Sequence, residues 1–157
     1  MADLDSSHER TANNFLTEPD NELLQQWLDK GNDDLRSAEY LSTMHHPTPD
    51  ELICFLCQQS SEKYLKGFLV LHDIEPPKTH NLKELMAMCE QLNSNFNILL
   101  PQLIVLNAYS VLPRYPNELG ISDDDMKIAI RYAKIVREFV LKAIDEKIKN
   151  DEASDSN

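Results

Sequence analysis

Glycine is scarce in this chain, with 3 in 157 residues. So few glycines beside long, uninterrupted periodic runs argue for an all-helical domain and against strands joined by tight turns. Cysteine is scarce too. There are 3, an odd number at no recognisable framework spacing, so no disulfide scaffold is implied. Long apolar runs are missing. "ELICFLC" and "NILLPQLIVL" are too short or too interrupted to cross a bilayer, and the polar start "MADLDSSHERTANN" has no apolar signal core. The expected location is the cytoplasm, with no membrane partner. Basic residues are in deficit, 15 against 27 acidic ones, for a formal net charge of -12. Long-range repulsion then opposes broad binding to nucleic-acid backbone or to an anionic membrane. A local basic pocket inside the acidic surface stays open.

What is present is helical periodicity. Residues 1–19 read as a polar arm, and Asp20 or Asn21 is placed to cap a first helix. Leu23, Leu24, Trp27, Leu28, Gly31, Leu35, Ala38 and Leu41 then recur at helical spacing to about Thr43. "MHHPTPDE" breaks the pattern, with Thr48 and Glu51 as a possible capping box around Pro49. The second helix is expected from about Pro49 to His72, apolar almost all round in its first half and therefore central. Asn81 and Glu84 open a third helix to about Leu92, "LNSNFN" reads as a loop, and a short helix covers about Ile98 to Val111. Ser122 and Asp125 cap the last helix. The expected organisation is an up-and-down four-helix bundle with a short extra helix over residues 20–148. An acidic, disordered tail is expected over 149–157.

Several constellations carry possible chemistry. Cys54 and Cys57 make a C-x-x-C, but inside a helix and without two further ligands at zinc spacing. Buried apolar thiols are the reading adopted, with no metal. His45 and His46 lie in a polar turn, and His72 stands where it can cap the second helix. In "QQSSEKYLKGFL", Glu62 and Lys66 stand at i, i+4, which a solvated ion-paired face explains. The alternative is that Gln59, Lys63 and Lys66 border a polar pocket. His80, just before the third helix, can satisfy a backbone group or meet an anion at the helix start. Arg114 sits between Pro113 and Pro116 in "LPRYPNELG". A braced arginine loses little further entropy on gripping an anion. It can equally cap carbonyls at the end of the preceding helix.

Taken in order, the Trp27–Leu35–Ala38 first helix, the "QQSSEKYLKGFL" block, "THNL", "RYP" and the alanine-rich last helix resemble the HEPN domain. This is a small helical bundle of prokaryotes and higher eukaryotes associated with nucleotide binding. The resemblance covers about residues 21–147. It implies a homodimer with a cleft between the bundles and, in many relatives, a minimal nucleotidyltransferase partner in a toxin–antitoxin pair. Many relatives are metal-independent ribonucleases that use an arginine, four to six residues and then a histidine. None of Arg10, Arg36, Arg114, Arg131 or Arg137 has a histidine at that distance.

The expected function is therefore binding of a nucleotide or a partner protein without ribonuclease activity, and with no cofactor. The expected ligand-binding set is Arg114, Tyr115, His80, Lys63, Lys66, Glu62 and Gln59. A ribonuclease toxin using His80 as a non-standard histidine, and a pure interaction module, are the alternatives.

Overall fold

The computed structural model describes residues 18–112 and 120–156. Among the described residues there are five α-helices and no strand. They are α1 (Glu18–Leu41), α2 (Asp50–Leu71), α3 (Leu82–Leu92), α4 (Leu100–Asn107) and α5 (Asp123–Asp155). A 3-10 helix, Ser94–Leu99, leads directly into α4. The protein is all-α, as its periodicity predicts.

Helix α2 packs against α1 and α5 and also touches α3 and α4, so it is the central element. Its Ile53, Cys54, Cys57, Leu65, Phe68 and Leu69 are buried. Two glycines bring α1 and α2 close. A Cβ on Gly31 would stand 3.1 Å from the Tyr64 ring, and one on Gly67 would stand 3.3 Å from Leu28. Ser60 Oγ seals the same contact by donating to the Gly31 carbonyl at 2.7 Å. Three aromatic rings tie the other side together. Phe68 of α2 lies 4.4 Å from Phe96 of the 3-10 helix, and Phe96 meets Phe139 of α5 edge-on at 5.0 Å.

Local chemistry explains most helix ends. Asn81 Oδ1 accepts from the Lys83 N–H, and Ser122 with Asp125 forms the full capping box. Gly120, at φ 58°, takes the left-handed turn just before that box. Asn107 ends α4 and accepts the Leu82 N–H at 2.9 Å, joining the end of α4 to the start of α3.

Five local expectations are corrected. Helix α1 begins at Glu18, so Pro19 belongs to its first turn, where a missing N–H is harmless. Thr48 does not cap α2; its hydroxyl donates to the Asp50 carboxylate. "LNSNFN" contributes to the 3-10 helix, because Asn93 caps Asn95 and Phe96 is drawn into the core. Helix α4 stops at Asn107, short of Val111. The acidic tail is helical to Asp155, held by Lys149–Asp145 and Lys147–Asp151 pairs one turn apart. No helix among the described residues is long and apolar enough to cross a membrane.

Candidate functional site

The polar stripe of α2 does not face solvent. Gln58, Glu62 and Lys66 recur every four residues, so they share one face, and that face lies under the segment leading into α3. Gln58 is fully buried, and Glu62 and Lys66 are 4% and 5% exposed. The solvated reading of the Glu62–Lys66 pair is therefore corrected.

Glu62 is the hub. Its Oε1 accepts from Lys66 Nζ at 2.8 Å. Its two oxygens lie 3.2 and 3.1 Å from His80 Nδ1, and Gln58 Nε2 approaches Oε2 at 3.4 Å. Gln58 also donates to the His80 carbonyl at 3.0 Å, and Gln59 Nε2 donates to Gln58 Oε1 at 2.7 Å. Lys66 is further covered by Trp27, whose ring centroid is 5.7 Å from Nζ. An ionised carboxylate only accepts, so the proton of a neutral His80 ring sits on Nδ1. The side chain of His80 remains 68% exposed. Among the described residues none bonds its other ring nitrogen.

The His80 ring therefore does not satisfy a backbone group at the start of α3. The Leu82 N–H is taken by Asn107 and the Lys83 N–H by Asn81, and the imidazole turns inward to Glu62. Lys63 is the residue that the fold removes from the cluster. It pairs with Asp34 of α1, because one step along a helix turns a side chain about 100°. The expected set is thus split. Gln59, Glu62, Lys66 and His80 are brought together, Lys63 is not, and Arg114 and Tyr115 lie outside the described residues. Trp27 and Gln58 complete the cluster, and Asn107 holds the adjoining Leu82 N–H. Gln58 was legible as the member of the stripe one turn before Glu62, whereas Asn107 had no sequence signal.

Elsewhere, candidates fall away. Cys54 and Cys57 are buried free thiols. Burial holds both well above the ordinary thiol range, Cys54 at about 12, which suppresses the thiolate needed for metal or redox work. No cluster that could hold a metal exists among the described residues. His45 and His46 are exposed.

The HEPN domain profile matches residues 24–146. The chain belongs to the HEPN family. Its fold is also found in solved structures. ST0689, an archaeal HEPN homologue, superposes with a TM-score of 0.61 at 23% identity, over 77% of this chain and 97% of its own. TT1696 from Thermus thermophilus gives 0.62 at 22% identity, over 76% and 96%. No curated protein matches the chain. Within this HEPN fold the Glu62 cluster joins the central helix to the start of α3.

Proposed function

We propose that this HEPN protein is a cytoplasmic binding domain for a nucleotide, working as a homodimer beside a minimal nucleotidyltransferase and not cleaving RNA. The observation that carries the reading is the Glu62 cluster. It holds an exposed imidazole at the entrance to α3, on a buried support whose charges are already matched by Lys66. A ligand phosphate then meets His80 and, in this reading, Arg114, without having to break that support. The missing Arg-to-His spacing argues against the ribonuclease reaction of many relatives. Acid–base catalysis needs a group that titrates near working pH, which a guanidinium does not.

Calorimetric titration with ATP tests the reading. Wild type is expected to bind. Arg114→Ala removes a charge-assisted contact of about 1.5–3 kcal/mol and should weaken binding about tenfold or more. Its melting temperature should hardly change. No heat of ATP binding to the wild-type protein would sink the nucleotide reading.

One observation favours a second reading. A carboxylate that fixes Nδ1 and leaves the other nitrogen exposed is how a general acid–base histidine is oriented. RNA cleavage by wild type that disappears in His80→Ala would make the protein a ribonuclease with a non-standard histidine.

A further inference from the structure

A groove of about 1040 Å³ runs between α1 and the C-terminal half of α5, with Tyr64 of α2 between them. Tyr64 lies two residues beyond Glu62, hence on the opposite side of α2, so this groove is separate from the His80 cluster. Its apolar walls are Leu28, Leu141, Ile144 and Ile148. Two polar groups stand among them. Tyr64 is 1% exposed, and its phenol is pushed above the ordinary range by burial, against the opposing charge and hydrogen bond of Arg137. Arg137 Nε is buried with no hydrogen-bond partner among the described residues. A buried N–H left unpaired is costly and rare in a native fold.

We infer that this groove binds a small amphiphilic monocarboxylate, with its head on Arg137 and Tyr64 and its hydrocarbon body along the leucine and isoleucine walls. A carboxylate meeting a guanidinium side-on takes Nε and one terminal nitrogen together, which supplies the partner that Nε lacks. The Tyr64 hydroxyl adds a neutral donor beside it. The walls supply what a purely polar anion would not use.

The charge around the groove limits the head group. Lys149 is engaged by Asp145 at 2.7 Å, and Lys142 lies 3.9 Å from Glu146. Asp29 and Glu152 add negative charge to the lining. Among the described residues, Arg137 is thus the groove's cation that no carboxylate pairs. With both lysines paired, one positive charge stands beside Asp29 and Glu152, which suits a monoanion and disfavours a phosphate dianion.

Octanoate is the probe, with 1-octanol and inorganic phosphate as controls. Isothermal titration and melting curves are recorded on the full chain, on Arg137→Gln and on Leu141→Trp, which fills the groove from its half-buried wall. Octanoate should bind and raise the wild-type melting temperature, while octanol and phosphate should not. Both variants should lose tenfold or more in octanoate affinity. If Arg137→Gln does not fold, Leu141→Trp decides. The proposal is overturned if octanoate leaves wild type unchanged, if octanol or phosphate does as well as octanoate, or if the folded variants bind like wild type. ATP binding at the other site has no bearing on these outcomes.

Discussion

At residue scale the Glu62–Lys66 pair shows how spacing and burial differ in legibility. The i, i+4 relation is visible in the chain, but what covers it is not. Trp27 comes from α1 and His80 from beyond the end of α2, so the burial is set by long-range packing. That burial decides the consequence of mutation. Glu62→Ala leaves an ammonium that is 7% exposed without its carboxylate, and should cost about 3–5 kcal/mol in urea unfolding. Glu62→Leu with Lys66→Met removes both charges and should recover most of that loss. A double variant as unstable as the single one would show that the pair does not act as a unit. His72 does stand at the C-cap of α2, as expected, its backbone N–H donating to the Leu69 and Val70 carbonyls, but its surroundings disfavour the cation that this position would welcome. It packs on Phe68 at 4.6 Å, and burial, with Lys147 nearby, lowers its pKa from 6.5. The fold thus favours the neutral ring. Its contribution is therefore present above the unfolded value and lost as pH falls below about 6.5. Between pH 7.5 and 5.5 the wild-type urea midpoint should fall more than that of His72→Leu. Parallel curves would remove His72 as a source of pH dependence.

At the scale of elements, the periodic helices were readable because each needs one apolar face, and the chain repeats its apolar residues accordingly. Two segments escape that logic for opposite reasons. The 3-10 helix has no amphipathic repeat; it forms because one side chain, Phe96, is fully buried between Phe68 and Phe139. The end of α5 is hidden by composition. "NDEASDSN" reads as a solvated tail, yet Ser154 and Ser156 donate to carbonyls one turn back, and Ile148 still reaches the core. The two segments should respond differently to mutation. Phe96→Ala opens a cavity among packed rings and should cost about 3–5 kcal/mol. Removing residues 151–157 cuts exposed helix and should cost well under 1 kcal/mol, since the exposed pair it breaks, Lys147–Asp151, is worth only a few tenths. Equal losses from the two changes would contradict this division between a pinned element and a frayed one.

For the whole molecule, charge and apolar surface pull against each other. The chain carries -12, and the i, i+4 pairs on α5 relieve this only locally. Yet Ile98, Leu100 and Ile104 are 65%, 38% and 52% exposed, with Leu100 and Ile104 one turn apart on α4. The proposed homodimer would use an exposed apolar strip of this kind, with a second copy of the chain as its occupant. Two such chains repel one another across any interface they form. Dimerisation should then be salt-dependent in the direction opposite to nucleic-acid binding, tightening as ionic strength rises. Sedimentation velocity at micromolar concentration should show the dimer fraction growing between about 20 and 300 mM salt, where the screening length falls from roughly 20 Å to under 10 Å. Ile104→Glu puts a further negative charge into the strip and should hold the protein monomeric throughout. A wild-type monomer at every salt concentration would end the dimer proposal. A dimer that persists in Ile104→Glu would place the interface on another face.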